Sequence, residues 1–144
     1  MAARYVFDTN VYIQCMLNRE FALRHAESYS SRLPATFFSS VVAQELLVGC
    51  TNDFAARRVQ NFLEPFERVG RIINPAYDDW KEAAWIVMWI GVKRKDLRSK
   101  KIALINDAMI ALSCRRIGAT LVTLNIQDFD VLRGFTSFRF KAFA

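Results

Sequence analysis

The segment from Asn106 to Phe129 constrains the fold most, because it reads as a helix, a tight turn, a buried strand and the start of another helix. Asn106 is a favoured N-cap residue, apolar residues follow at helical spacing, and a glycine ends the pattern. The run from Ala119 to Leu124 is apolar and β-branched, as in a covered strand of a parallel sheet. The segment therefore predicts an α/β protein with Asp107 at a helix start and Asp128 beyond the carboxyl end of a strand.

The rest of the chain repeats this alternation of short apolar runs and helical patterns. Strands are expected at residues 4–7, 35–38 and 71–74, with a terminal edge strand at residues 139–143. Helices are expected at residues 11–17, 20–33, 41–48, 53–69 and 76–92, with Pro65 bending or dividing the fourth. Neither a repeat nor a linker interrupts the sequence, so we expect one domain spanning residues 1–144.

Composition excludes several classes of protein. Hydrophobic residues make up 53% of the chain and charged residues 24%, which describes a folded protein and not a disordered one. The longest uncharged apolar run, residues 83–92, is about half the ~20 residues of a membrane-spanning helix, and the first residues lack a signal-peptide core. Cys15, Cys50 and Cys114 lack metal-binding spacing. We therefore expect no membrane partner, buried structural thiols and a cytoplasmic location.

The formal net charge of +6 favours polyanionic partners such as RNA, DNA or an acidic protein. Much of this charge lies in one basic run that leads towards Asp107. Its members are Lys93, Arg94, Lys95, Arg98, Lys100 and Lys101. On charge alone, a solvated loop and a phosphate-contacting patch are equally good interpretations. The position of the run before Asp107 favours phosphate contact, so its members are candidate RNA-binding residues.

Acidic residues lie where predicted strands end or where a helix leading to a strand begins. Asp8, Glu45 and Asp128 each follow a predicted strand, and Asp107 starts a helix. A parallel sheet would bring these segments to one edge, so the four carboxylates would share a cleft. Plainer interpretations also exist: Asp8 could cap the helix after it, and Glu45 could lie on a narrow exposed stripe beside Gln44.

Like charges in one cleft require shifted pKa values or a bound cation. Carboxylate oxygens without histidine or thiolate suit Mg²⁺ or Mn²⁺, not zinc or copper. The only histidine, His25, is far in sequence from the acids, and the isolated glycines form neither a P-loop nor a dinucleotide-binding motif. An acidic cleft with basic surroundings favours a metal-dependent nuclease, because such ions activate water and stabilise charge on a phosphodiester.

The longest periodic segment, residues 76–92, predicts a helix with a wide apolar face. The apolar positions are Trp80, Ala83, Ala84, Val87, Met88 and Gly91, with Trp85 and Trp89 broadening the face. Packing in the core is the default expectation for such an aromatic stripe. An interface between two copies of the chain is the alternative.

Four short motifs occur in order along nearly the whole chain. They are Val6–Asn10, Glu45–Leu46 with Gly49, Asn106–Ala108 with Ile110–Ala111, and Thr123–Asn125 with Asp128–Phe129. In these motifs the chain resembles PIN-domain proteins, and within that family the VapC toxins of VapBC toxin–antitoxin pairs. One such motif would be a weak signal, but four in family order at about the family's spacing are specific.

The resemblance implies a PIN-like three-layer α/β/α sandwich around a mainly parallel sheet of about four to five strands. It also implies a Mg²⁺- or Mn²⁺-dependent endoribonuclease that hydrolyses RNA and forms a homodimer. A small VapB-like antitoxin protein would neutralise the enzyme by inserting a segment at the active site.

Residue roles follow from the same resemblance, motif by motif. Asp8 and Asp107 would be the firmest metal ligands, and Glu45 would complete the catalytic cluster and help position the water. Many PIN domains have an acid at the place of Asn125. Asp128 is then the nearest fourth carboxylate, and the number of bound ions stays open.

Hydrogen bonds from neighbouring residues are also implied. Thr9 and Asn10 would orient Asp8 in this way, and Asn125 would lie in the same outer shell around the ligands.

Two alternatives keep the same fold. The chain could be a non-toxin PIN nuclease acting on RNA or DNA, which a neighbouring gene for a short DNA-binding protein would argue against. It could instead be a non-catalytic RNA- or protein-binding PIN-like module whose acids serve as helix caps. The presence of Asp8, Glu45 and Asp107 in apolar settings argues against that module, because buried acids are unfavourable unless they are used.

Overall fold

A computed structural model describes residues 2–144, which form five strands and seven α-helices. The strands are β1 (Tyr5–Phe7), β2 (Thr36–Ser39), β3 (Ile72–Ile73), β4 (Thr120–Thr123) and β5 (Arg139–Ala142). The helices are α1 (Thr9–Leu17), α2 (Arg19–Arg32), α3 (Ser40–Val48), α4 (Asp53–Arg68), α5 (Tyr77–Lys93), α6 (Lys101–Ile117) and α7 (Ile126–Arg133). Short 3₁₀ turns at Leu33–Ala35 and Lys95–Lys100 precede β2 and α6.

The strands pair in parallel, in the order β3-β2-β1-β4-β5. β1 lies in the centre, where Tyr5 is opposite Thr36 of β2 and Thr120 of β4. The chain adds β2 and β3 on one side of β1 and then returns to add β4 and β5 on the other. This creates a topological switch point between β1 and β4. The expected α/β class with a parallel sheet is confirmed, and β5 is the predicted edge strand.

Both faces of the sheet are covered. Leu121 and Val122 are consecutive residues of β4 and therefore point to opposite faces, yet each is fully buried. Helix α6 is a central element of this packing, since every residue from Ala108 to Cys114 is buried. The layered arrangement expected from the sequence is thus present around the central strands.

Helix α6 begins at Lys101, so the prediction that it starts at Asn106 is wrong. The 3₁₀ turn leads straight into the helix, and the fully buried Leu104 gives the first turn a contact with the core. Asn106 and Asp107 therefore lie in the second turn. The other end is as predicted, because Gly118 adopts the left-handed conformation with φ 68° and its N–H bonds the carbonyl of Arg115 at 3.1 Å.

The tryptophans of α5 are exposed, so the default expectation of core packing is wrong. Trp80, Trp85 and Trp89 keep 59%, 55% and 46% of their surface exposed. The buried face of the helix is formed instead by Asp79, Ala83, Ile86, Val87, Ile90 and Gly91. At 100° per residue, this face lies on the opposite side of the helix from Trp85.

Capping residues set several other helix boundaries as expected. The hydroxyl of Ser39 accepts the N–H of Val41 at 3.2 Å at the start of α3. Helix α4 contains Pro65 but runs without a break from Asp53 to Arg68, so it is not divided. Within residues 2–144, no helix has the length and apolar character needed to cross a membrane.

Candidate active site

Asp8 follows β1 directly at the switch point of the sheet and is only 4% exposed. Its Oδ2 accepts the hydroxyl of Thr123 at 2.7 Å, and its Oδ1 accepts the N–H of Thr9 at 2.8 Å. The second bond caps α1, so the capping interpretation of Asp8 is confirmed, while the first ties the carboxylate to the end of β4. Burial raises the pKa of Asp8 above its ordinary value, although both hydrogen bonds lower it.

Helix α3 brings Glu45 to the same edge of the sheet. Its Oε1 accepts the hydroxyl of Thr9 at 2.6 Å, and its Oε2 accepts the side-chain N–H of Asn106 at 3.3 Å. The carboxylate is half-buried and hydrogen-bonded, so Glu45 does not lie on an exposed stripe of the helix beside Gln44. Its expected apolar surroundings are only partly present, because Leu46 is buried whereas Leu47 is 41% exposed. Glu45 thus links α1, α3 and α6.

The raised pKa of Asp107 indicates that the acids lie close together. The pKa of its carboxyl rises to about 8, first because the group is buried and then because Asp8, Asp128 and Glu45 repel its charge. Lys100 opposes this rise only in part. The carboxylates expected at one sheet edge therefore influence one another through space. Without an added cation, Asp107 is mostly protonated at neutral pH.

Asp128 lies in the first turn of α7, where two side chains contact it. Nδ2 of Asn125 donates to its Oδ2 at 3.0 Å, and Nζ of Lys100 lies 3.6 Å from its Oδ1. The side-chain oxygen of Asn125 also caps α7 by accepting the N–H of Asp128 at 3.5 Å. Since half of the Lys100 side chain is exposed, its ammonium group lies at the solvent side of the acids.

Thr9 donates a hydrogen bond to Asp8 as expected, whereas Asn10 does not. The backbone N–H of Thr9 donates to Asp8, but its hydroxyl donates to Glu45. The side-chain oxygen of Asn10 accepts the N–H of Leu124 at 3.3 Å. Asn10 therefore fixes the connection between β4 and α7, and the expectation that its side chain orients Asp8 is wrong.

Sequence reasoning did not assign two residues that position the carboxylates, Thr123 and Asn106. Thr123 is fully buried and donates its hydroxyl to Asp8, while Asn106 donates to Glu45. The signal for Thr123 was a hydroxyl at the carboxyl end of a buried strand. That signal is weak alone, because threonine is common in strands for its β-branched shape.

Within residues 2–144, no three His, Cys, Asp or Glu side chains are arranged to enclose a metal ion. The acids are close enough to repel one another but do not form a closed ligand shell. Carboxylate oxygens are hard donors that suit Mg²⁺, which keeps several waters and binds through one or two carboxylates plus phosphate oxygens. A cation would also relieve the repulsion that raises the pKa of Asp107. The donors therefore fit Mg²⁺ or Mn²⁺, with the available ligands being Asp8, Glu45, Asp107 and Asp128.

The basic run is divided between internal contacts and solvent. Arg94 pairs with Asp96 at 3.0 Å, and Lys100 lies beside Asp128. Arg98 donates to a backbone carbonyl of α5 at 2.9 Å. The remaining members of the run are exposed: Lys93, Lys95 and Lys101. Lys100 alone among the six extends the run to the carboxylates.

An apolar groove of about 360 Å³ opens beside Glu45, between α1, α3 and α4. Most of its walls are aliphatic, from Ile13, Met16, Leu17, Leu46, Ala55 and Val59. Arg58 lies at the groove and donates to the carbonyl of Met16 at 2.8 Å. An apolar surface thus borders the acidic site directly.

Residues 5–134 match the family model of the PIN domain. The chain belongs to the PIN domain family. PIN domains are nucleases and generally use divalent metal ions, so family membership places this chain among the hydrolases that act on phosphodiester bonds. No match was found among curated proteins.

Several solved structures share this PIN fold along almost their whole length. DNA-bound VapBC from Salmonella typhimurium matches at 22% identity and a TM-score of 0.64, over 99% of this chain and 100% of that chain. VapBC-1 from nontypeable Haemophilus influenzae matches at 22% identity and a TM-score of 0.60, over 96% and 97%. FitAcB from Neisseria gonorrhoeae matches at 21% identity and a TM-score of 0.62, over 97% and 96%. These likenesses confirm the fold.

Proposed function

We propose that this PIN protein is a Mg²⁺- or Mn²⁺-dependent endoribonuclease and the toxin of a type II toxin–antitoxin pair. The observation that carries the proposal is the gathering of carboxylates at one edge of the sheet. Asp8, Glu45 and Asp128 crowd Asp107 there, and burial together with this crowding raises the pKa of Asp107 to about 8. Such crowding disfavours the ionised form and is relieved by a divalent cation. The toxin assignment is supported by the motif pattern and by the likeness to VapBC structures.

The side chains have separate roles in the proposed hydrolysis. A bound Mg²⁺ or Mn²⁺ supplies a water of lowered pKa and stabilises charge on the phosphodiester. Asp8 and Asp107 hold the ion, and Thr123 keeps the Asp8 carboxylate in place through its 2.7 Å hydrogen bond. Glu45, restrained from two sides, orients the attacking water and accepts its proton. Attack at phosphorus breaks the bond to one bridging oxygen, which leaves with a proton from solvent.

Lys100 is the member of the basic run that we assign to the scissile phosphate. Its ammonium group lies 3.6 Å from Asp128, at the solvent side of the acids where a phosphate would enter. A phosphate oxygen could replace Asp128 as its partner, which leaves the Asp128 carboxylate available to the ion. The exposed Lys93, Lys95 and Lys101 would contact neighbouring phosphates of the RNA.

The proposed partner is a small VapB-like antitoxin. The apolar groove beside Glu45 offers a surface for aliphatic or aromatic residues of an inserted segment, and the adjacent acids suit a basic side chain. A homodimer, which the VapC resemblance implies, and a cytoplasmic location, which the sparse cysteines favour, complete the proposal.

The activity is tested by cleavage of a panel of structured RNAs in Mg²⁺ or Mn²⁺ and in EDTA. Wild type, Asp8→Asn and Asp107→Asn are purified in parallel, with Asp130→Asn as the matched control because Asp130 is an exposed acid of α7. We expect metal-dependent cleavage by the wild type and the control, and a loss of at least ~100-fold in both site variants. Equal cleavage by all four proteins would indicate a contaminating nuclease and would overturn the proposal.

A non-catalytic RNA- or protein-binding module is the second candidate, favoured by one observation: Asp8 caps α1. If capping is its only role, Asp8→Asn leaves the affinity for Mn²⁺ unchanged, because asparagine is an equally good cap. Titration calorimetry with Mn²⁺ separates the two proposals, since the nuclease predicts a clear loss of affinity. Single-stranded DNA in the same cleavage panel tests the non-toxin nuclease.

A further inference from the structure

A group of basic residues lies at the edge of the sheet opposite the acidic site. We define the basic edge by five residues: Arg4, Arg32, Arg71, Arg139 and Lys141. Arg4 and Arg71 directly precede β1 and β3, and Arg139 is the first residue of β5. The amino ends of parallel strands meet at one edge, and neighbouring strands are about 4.8 Å apart, so these three arginines are spread over about 19 Å.

Two aromatic rings of the central strands each lie beside two of these cations. The face of an aromatic ring attracts a cation, which holds two like charges near each other. From each cation to the ring centre, the distances are 5.8 and 5.7 Å for Arg4 and Arg71 at Phe37, and 5.5 and 5.3 Å for Arg32 and Lys141 at Tyr5.

No acidic side chain neutralises the basic edge. Within residues 2–144, none of its five members forms an ion pair, although eight other basic residues do. The absence of partners is therefore a property of this edge and not of the whole surface. Like charges gathered without a counterion inside the fold suit an exchangeable anion, as the crowded carboxylates at the other edge suit a cation.

Hydrogen bonds to the backbone hold two of the arginines in place. Arg4 donates to the carbonyl of Ile117 at 3.0 Å, and Arg139 donates to the carbonyl of Gly118 at 2.7 Å. The two side chains thus converge on the turn before β4 from the strands on either side of it. A guanidinium has five N–H groups, so a bond to one carbonyl leaves others for the oxygens of a phosphate. A side chain that is already held loses less entropy on binding.

We propose that the basic edge is a second surface for RNA, which binds phosphates of a folded substrate while another part of the same RNA lies at the carboxylates. Arg4 and Asp8 flank β1 and are four residues apart, so their backbones are separated by about 13 Å. A folded RNA is long enough to contact both edges. The exposed Lys141, two residues after Arg139 on the outer strand, extends the positive charge along the side of the sheet towards the acidic site.

RNA fits the basic edge better than an acidic protein does. Charged residues are depleted in the centre of interfaces between proteins, whereas interfaces with nucleic acids are much more positively charged. The basic edge carries cations along its whole length, with arginine at four of its five positions. The choice of RNA among nucleic acids rests on the proposed function, but the capacity to bind phosphates does not.

The first experiment measures the affinity of the full chain for a fluorescein-labelled RNA hairpin by anisotropy, in EDTA so that metal-dependent cleavage does not occur. In Arg4→Gln/Arg139→Gln we expect about 10-fold weaker binding at ~50 mM salt, and a slope of log K against log salt that is smaller by about 1.5. Arg24→Gln/Arg57→Gln is the matched control, because it removes the same charge from two exposed ion pairs. It should change the affinity by less than ~2-fold.

Two further variants separate RNA binding from a purely structural role. Arg4→Lys/Arg139→Lys keeps both charges and should retain the salt slope of the wild type. Lys141→Gln removes one exposed charge without breaking a contact to the backbone, and it should lower the slope by about 0.7. Thermal melting reports the folding of each variant. If the arginines serve only to hold the turn before β4, both double variants will melt earlier and bind RNA as the wild type does, which would overturn the proposal.

Three other results would also overturn it. They are a wild type that does not bind the hairpin in EDTA, a control variant that loses as much affinity as Arg4→Gln/Arg139→Gln, and displacement of the hairpin by polyglutamate as readily as by unlabelled RNA. The last result would favour an acidic protein as the partner.

The basic edge and the nuclease can fail separately. Asp107→Asn should bind the hairpin in EDTA at least as well as the wild type does, because the basic edge is unchanged. RNA binding without any cleavage in Mg²⁺ or Mn²⁺ would reject the nuclease and keep the basic edge. Cleavage by the wild type, with unchanged RNA affinity in Arg4→Gln/Arg139→Gln, would reject the basic edge alone.

Discussion

Helix α6 contacts acidic residues in two places. In one cluster the acids are paired with arginines, and in the other they mainly face one another. Near its C-terminus, Arg116 donates to the buried Asp79 at 2.9 Å, and Arg115 donates to Glu82 at 2.9 Å. In its second turn, Asp107 faces three further carboxylates and a single half-exposed lysine. We call these the paired cluster and the acidic cluster.

The pKa values of Asp79 and Asp107 move in opposite directions. Burial tends to raise the pKa of Asp79, but hydrogen bonds from Arg116 and the backbone of Ala76 outweigh it, and the pKa lies below its usual value. At Asp107, burial and repulsion by the other acids raise the pKa to about 8. The comparison shows that burial alone does not identify a functional acid. An acid that lacks its own cation inside the fold is the one suited to an exchangeable ion.

The largest expected contrast comes from Asp107→Asn. We expect RNA cleavage to fall by at least ~100-fold, because a metal ligand is lost. The free energy of unfolding at pH 7 in EDTA should rise by up to about 4 kcal/mol, because folding no longer requires a carboxyl group to be held in its protonated form. Cleavage assays and urea denaturation check the two effects. A variant that lost both activity and stability would contradict the comparison.

Removing the partner in the paired cluster should have the opposite effect on stability. Arg116→Ala leaves Asp79 buried without its cation, and we expect the free energy of unfolding to fall by about 2–3 kcal/mol. Arg57→Ala, which breaks an exposed ion pair with Asp53, is the control and should change stability by less than ~0.5 kcal/mol. Similar losses from both variants in urea denaturation would show that the paired cluster has no special role.

The pH dependence of the free energy of unfolding should have opposite signs in the two clusters. Folded Asp107 keeps a proton that the unfolded chain releases above pH ~4, so stability falls as the pH rises towards 8. We expect about 2 kcal/mol of this loss between pH 5 and pH 6.5 in EDTA, and less of it in Asp107→Asn. Asp79 acts with the opposite sign, because its lowered pKa stabilises the fold above pH ~4 and that contribution is lost on acidification. A stability profile unaffected by Asp107→Asn would contradict the assignment.

The smallest effect concerns Lys100. Among residues 2–144, Lys100 is the one cation that forms an ion pair with a member of the acidic cluster, Asp128. Lys100→Gln should tighten Mn²⁺ binding about 2- to 5-fold by removing a competing charge, and weaken RNA binding by a similar factor. Lys101→Gln is the control for metal affinity. Calorimetry and fluorescence anisotropy measure the two affinities, and a weaker Mn²⁺ affinity in Lys100→Gln would contradict its proposed place.

The α/β fold could be predicted because β-strands and covering helices have clear periodic patterns in the sequence. The place of the site could be predicted because ligand sites form at the carboxyl ends of parallel strands. Asp8 illustrates this, since an acid after an apolar strand had to lie at the sheet edge. The start of α6 could not be found in the same way. No side chain caps that helix, so the chain offers no N-cap signal at Lys100.

Side-chain partners could not be predicted either. Thr9 offers one hydroxyl and one N–H, and only the angle between α1 and α3 decides that the hydroxyl meets Glu45. The prediction that the tryptophans of α5 pack in the core was wrong for a related reason. Apolar residues occur on both sides of that helix, so spacing alone does not tell which side packs on the protein.

The switch point between β1 and β4 also bears on when the active site can arise during synthesis. The hydrogen bond between Asp8 and Thr123 joins residues 115 positions apart, and Asp107 lies on the helix just before β4. A chain still emerging from a ribosome contains Asp8 long before it contains Thr123. Contacts of such large sequence separation form late and slowly. The carboxylates therefore meet only after most of the polypeptide has been released, so the growing chain has no assembled acidic site.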